Sequence, residues 1–261
     1  MRLQELFLTE TTEEDRALIS LAGPIFSKLS DFSVTPLEKG QVFNVGTIGE
    51  LFDTPINILD PVKLSIWTNE DIVDDFVPED KRSEYLGDSD STGKRNIYGL
   101  WDAESNTIIL NYDFISSNSI KSVITHELRH ALDDYKSEFK AGKSKRYSTP
   151  RKKEHRKDYS NDPYASNDQK SQPYRAQPAE INARFSEVLH GITAQARHAM
   201  KRDPAEMKPR LMRDLKKLLD MKHISDLFPE KEQSKDYKRL VKRAVDFIDK
   251  EVAHLLSTKP Q

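Results

Sequence analysis

The sequence contains no cysteine. Disulfides are therefore excluded, and so is any thiolate metal site, so a zinc ion here must be held by histidine and carboxylate. Charge of one sign is not in excess: the net charge is −2, which gives no general reason to expect nucleic acid or an anionic membrane as partner. Long apolar runs are missing too. Hydrophobic residues make up 36% and charged residues 32% of the chain, mean hydropathy is −0.73, and no segment reaches the length of a membrane span. The start, MRLQELFLTETTEEDRALISLAG, carries acids where a secretory signal needs a basic start and an unbroken apolar stretch. The expectation is a protein made and kept in a cytoplasm, or packaged from one into a virion. A length of 261 residues allows one large domain or two small ones.

Local patterns give an order of elements. Residues 11–30 read as a helix, with capping-box spacing at Thr11 and Glu14, a stripe of Leu18, Leu21, Ile25 and Leu29, and a kink or break at Pro24. Residues 31–61 are punctuated by Pro and Gly and resist assignment. Val62, Leu64 and Ile66 alternate with polar residues and suggest a strand ending near Trp67. Residues 69–95, acidic and then Gly/Ser-rich, read as loop. In NIYGLWDAESNTIILNYDF (96–114), two β-prone runs flank a polar DAESN turn and predict a hairpin. A helix follows from 118 or 119 to about 139, striped by Ile120, Val123, Ile124, Leu128, Ala131, Leu132 and Tyr135. Residues 140–175 hold eleven Lys/Arg against four Asp/Glu, a net of about +7, with few apolar residues. They read as a solvated insertion, or as a basic patch for nucleic acid or an acidic partner. Three helices close the chain, from Pro178, from Met207 to about Met221, and from Tyr237 to about Leu256.

The chemistry lies in VITHELRHALDDY (123–135). Residues four apart on a helix lie above one another, so His126 and His130 can aim at one ion. Glu127 lies about 100° around from His126 and can reach a water on that ion without being a ligand. Taking Ile120 as origin, the apolar stripe centres near about 50°, His126 near about 240° and His130 near about 280°. The histidines are thus expected off the core stripe.

HELRHALDDY resembles the HEL-x-HA-x-x-DY segment of thermolysin-like zinc peptidases, within the zincin group. The hairpin is similar as well: in that family an edge strand ending in an aromatic residue precedes the active helix and binds substrate backbone antiparallel. The resemblance covers about residues 96–136. It implies an α+β fold, a small and mostly antiparallel sheet with its edge hairpin packed on the HExxH helix, and a helical C-terminal part. The domains expected are an N-terminal segment 1–61, a zincin-like core 62–201 carrying the basic insertion, and C-terminal helices 202–261. It implies Zn²⁺ as cofactor, His126 and His130 as ligands, Glu127 as general base, and Tyr98, Gly99, Leu100 and Trp101 as the substrate strand. Asp134 matches the DY aspartate, either a second-sphere group that orients the helix or a histidine, or a plain solvated acid.

The chain departs from the family where the third ligand belongs, because no NExxSD motif follows the second histidine. Glu180, in YRAQPAEINARF, is the best substitute and is similar to the late glutamate of other Glu-type zincins, although a first-turn glutamate also complements a helix dipole. His155 and Glu187 are the alternatives, and Tyr174, Arg184, His190 and His198 are candidates for an oxyanion donor. The resulting expectation is a zinc endopeptidase acting on protein or peptide. The competing readings are a catalytically silent zincin scaffold used in assembly, and a nucleic-acid-associated metallopeptidase using residues 140–175. The MRLQELF start resembles small proteins of tailed bacteriophages, which would make virion components possible partners.

Overall fold

The computed structural model describes residues 12–33, 36–54, 56–86, 96–117, 119–140, 178–220 and 235–258, without the side chains of residues 12, 84, 137–140, 178–180 and 235–236. The capping position Thr11, the stretch 141–175, His155 and Tyr174 lie outside them. Among the described residues no helix is long and apolar enough to cross a membrane. The fold is α+β. The chain forms two compact units, one of Ser20–Ser148 and one joining Met1–Ile19 to Thr149–Gln261.

The first unit holds a sheet of four strands, β1 (Val42–Thr47), β2 (Lys63–Trp67), β3 (Gly99–Asp102) and β4 (Thr107–Asn111), in the order β1-β2-β4-β3. β1–β2 and β3–β4 pair antiparallel, whereas β2–β4 is parallel. The hairpin and β2 lie where the alternation of residues predicts. β3 is an edge strand. Its register sets Gly99 opposite Leu110 and Trp101 opposite Ile108. In β2, Leu64 and Ile66 continue the same two rows. All of these residues line one face of the sheet, because side chains alternate along strands.

Helix α1 (Thr12–Leu29) runs through Pro24 without the expected break. Pro24 has no N–H to give the helix and lies on its exposed side. Where a loop was expected after β2, the segment Asn69–Phe76 is a helix, α3; the short α2 (Ile48–Leu51) precedes it, after β1. Thr68 caps α3 by accepting from Asp71 N at 3.1 Å, and Ile72 and Val73 are buried beneath it. Four acids in eight residues hide that small apolar anchor from a hydropathy reading. A further turn, α4 (Ser83–Leu86), follows.

Helix α5 (Ile120–Lys140) packs against β3. Three features fasten it to the hairpin. A Cβ at Gly99 would sit 2.9 Å from Val123 Cγ1 and 3.0 Å from Leu110 Cδ2, so the close approach requires glycine. The Trp101 indole Nε1–H donates to Asp134 Oδ2 at 2.5 Å. Tyr135 donates its hydroxyl proton to Asn106 Oδ1 at 2.9 Å. Asn106 occupies the left-handed region (φ 58°), which asparagine tolerates better than most residues, and donates its amide to Pro61 O at 2.5 Å. The hairpin turn is thereby tied to both β2 and α5.

In the second unit, α6 (Pro178–Arg202), α7 (Met207–Asp220) and α8 (Lys235–Ser257) pack pairwise around Phe185, Ile192, Leu211, Leu215, Phe247 and Ile248, joined by Ile19 of α1. Asp15 is buried and takes Arg243 Nη2 at 2.6 and 2.7 Å, while that guanidinium stacks over Phe185 at 4.9 Å.

Two outcomes are expected. Gly99→Ala loses about 1–3 kcal/mol by overpacking, and adding Val123→Ala recovers part of it, which denaturant titration of the double-mutant cycle measures. Asp15→Ala removes the buried carboxylate that the half-buried Arg243 guanidinium bonds and costs about 1.5–3 kcal/mol, read in the same assay.

Candidate metal centre

One rigid turn of α5 places the three central residues. His126 Nε2 and His130 Nε2 lie 3.0 Å apart, with ring centroids at 4.7 Å and ring planes inclined by 77°. The rings converge on a common point. Two imidazole nitrogens each about 2.0–2.1 Å from a tetrahedral zinc are about 3.3 Å apart. The observed separation is close to that value, so the pair fits the ion. It also suits an N–H···N bond between neutral rings, and metal analysis separates the two.

The polar side of α5 is partly covered, more than its stripe suggests, although His130 and Asp134 remain half-exposed. His126 is 7% and Glu127 6% exposed, and Arg129 is fully buried. Thr125 turns its hydroxyl to Lys121 O at 2.9 Å, the usual way a helix absorbs a buried threonine. Arg129 Nη1 lies 3.6 Å from Asp133 Oδ1, again at i,i+4. Helical pitch thus pairs His126 with His130 and Arg129 with Asp133 on neighbouring lines of one helix. Glu127, between them in sequence, is held at the same depth as His126.

The expected substrate strand is β3 preceded by Tyr98. Asn111 N–H donates to Tyr98 O at 3.0 Å. With the register given above, 98/111, 100/109 and 102/107 are the hydrogen-bonded pairs, and Gly99 and Trp101 turn their N–H and C=O away from β4. No described strand pairs with that outer edge. Tyr98 is exposed and stacks on Phe114, with centroids 4.3 Å apart. Gly99 and Leu100 are half-buried. Trp101 differs from its neighbours: it is buried, with its indole directed inward to Asp134. Sequence reasoning singled out both Trp101 and Asp134 but missed that they bond to each other. The signal available was their common placement, an aromatic on an edge strand and an acid two turns beyond His126.

The remaining candidates are dispersed. Glu180 stands in the first turn of α6, in the other unit, and its side chain lies outside those described. Glu187 accepts from Arg184 Nη1 at 3.0 Å. His190 is half-buried and His198 exposed. Among the described residues no group of three His, Asp or Glu is assembled around an ion-sized space.

Comparison with known proteins adds no further constraint: no family model, curated protein or solved structure matches the chain. Metal content is accordingly the first thing to measure. Zinc titration followed by elemental analysis is expected to give one ion per wild-type chain and loss of it in His126→Ala, His130→Ala and Glu180→Ala. Full occupancy in Glu180→Ala would assign the third position to another residue, with His155→Ala as the next variant.

Proposed function

We propose that the protein is a zinc-dependent endopeptidase that hydrolyses peptide bonds in unfolded or extended protein segments. The observation that carries this reading is the convergence of the His126 and His130 ring nitrogens, 3.0 Å apart, on a helix packed against an antiparallel edge strand. The HELRHALDDY segment and its preceding hairpin, similar to those of thermolysin-like peptidases, support it from the sequence side.

His126 and His130 would hold the ion through Nε2, with a third protein ligand completing the set. Bound zinc supplies a water whose pKa falls toward about 7 and a Lewis acid for the scissile carbonyl. The Glu127 carboxylate would take one proton from the attacking water as that oxygen adds to the acyl carbon and the carbonyl π pair moves onto its own oxygen. It then delivers the proton to the leaving nitrogen as the C–N bond breaks. The carboxyl product keeps the hydroxyl, the amine keeps the proton, and Glu127 returns to its starting state. Burial of Glu127 favours this role, because a base screened from bulk water exchanges its proton with the reacting groups. The outward N–H and C=O of Gly99 offer an extended substrate two antiparallel hydrogen bonds.

Glu127→Gln keeps shape and hydrogen-bonding capacity but cannot accept the proton. Zinc content and fold are expected to be unchanged while cleavage of denatured protein falls by about 10²–10⁴. The assay includes chelator and zinc add-back. Wild-type activity that persists in both the chelator and the variant would defeat the reading. A wild type that binds zinc and cleaves nothing would instead identify a silent scaffold.

A further inference from the structure

Trp101 and Asp134 connect two places that the sequence treats separately, the edge strand and the histidine face of α5. Asp134 follows His130 by four residues and His126 by eight, so all three lie along one line of the helix. Its Oδ2 accepts the Trp101 indole proton at 2.5 Å. Two residues earlier, Gly99 turns its backbone groups to the free edge and its bare α-carbon against Val123. Trp101 is 2% exposed, so its ring has no room to move independently of the strand. Movement of β3 is thus transmitted to α5 through a packed contact at Val123 and a directed hydrogen bond at Asp134.

We propose that the Trp101–Asp134 bond couples peptide binding at the β3 edge to metal binding at His126 and His130, making the Trp101 indole a positioning group that does not itself touch substrate. This rests on the metallopeptidase reading. A peptide that adds to β3 fixes the strand, the indole then fixes the turn carrying Asp134, and the His130 ring, one turn back, loses freedom it would otherwise have to give up on binding the ion. Coupling of this kind is reciprocal: zinc must raise peptide affinity by the same factor by which peptide raises zinc affinity.

The test uses the full chain carrying Glu127→Gln, so that peptide survives. Zinc affinity is measured by competition with a chromogenic chelator, with and without saturating unfolded casein. Casein affinity is measured by fluorescence anisotropy, with and without zinc. The two enhancement factors are expected to agree and to be about five-fold or more, the lower end of measured couplings. Trp101→Phe keeps a ring but loses the donor, and Asp134→Ala keeps the indole but loses the acceptor; either should bring both factors close to one. Asp134→Asn, which retains an acceptor oxygen, should restore most of the coupling. Far-UV circular dichroism confirms the fold of each variant, and Asp134→Ala carries the test alone should Trp101→Phe not fold. Undiminished coupling in a folded Trp101→Phe or Asp134→Ala overturns the proposal, as does a wild-type background that binds both ligands independently. If Zn²⁺ does not bind the background protein at all, the metallopeptidase reading falls and the coupling with it. If zinc binds and chelator-sensitive cleavage by the chain without Glu127→Gln is intact, only the coupling has failed.

Discussion

The structure around the candidate metal centre depends on how closely α5 can approach the edge strand. A side chain at residue 99 would collide with Val123 and Leu110, and only glycine leaves the space. Given that approach, the Trp101 indole reaches Asp134 and the Tyr135 hydroxyl reaches Asn106, each at hydrogen-bond distance. Asn106 in turn is held by Pro61, next to the start of β2. One missing side chain thus sets the distance between helix and hairpin, and polar contacts at two further points fix the helix's rotation about its own axis. The direction in which His126 and His130 face follows from that rotation.

A helix buried on its polar side has to satisfy polar groups without water. α5 does so in part with its own pitch. Residues four apart meet, so His126 meets His130 and Arg129 meets Asp133, and Thr125 bonds back to Lys121 O. Such pairing makes the histidines neighbours whether or not an ion lies between them. What distinguishes a metal site from a pair of satisfied core histidines is the set of groups nearby. A buried carboxylate follows the first histidine directly, and an edge strand with outward backbone groups stands beside the helix. Neither is needed to keep two imidazoles satisfied.

Local features were legible in the sequence because local residues determine them. The 96–114 hairpin, β2, α5 and the helix starting at Pro178 follow alternation, helical spacing and turn chemistry close to where those patterns end. Non-local features were not legible. The parallel pairing of β2 with β4 joins segments about forty residues apart and leaves no mark on either. β1 has a single buried residue and carries a register shift between Asn44 and Gly46, so its alternation is weak. α3 is anchored by only two buried residues among four acids, and its capping threonine was the signal to weigh more heavily. For the site, the i,i+4 spacing fixed the histidine pair. The helical angles set Glu127 near the edge of the apolar stripe, in keeping with its burial, but burial of His126 could not be read from them, because they report which face is apolar and not which face is covered.

The central claim is that the two ring nitrogens meet at a zinc ion. X-ray absorption at the zinc K-edge, on protein loaded with one equivalent and washed free of excess, tests it most directly. The account predicts a four-coordinate first shell at about 2.0–2.1 Å made of nitrogen and oxygen only, with the outer-shell scattering that two imidazole rings produce, and loss of that scattering in a folded His126→Ala chain. A six-oxygen shell without imidazole scattering, or failure to retain zinc through the wash, would contradict it.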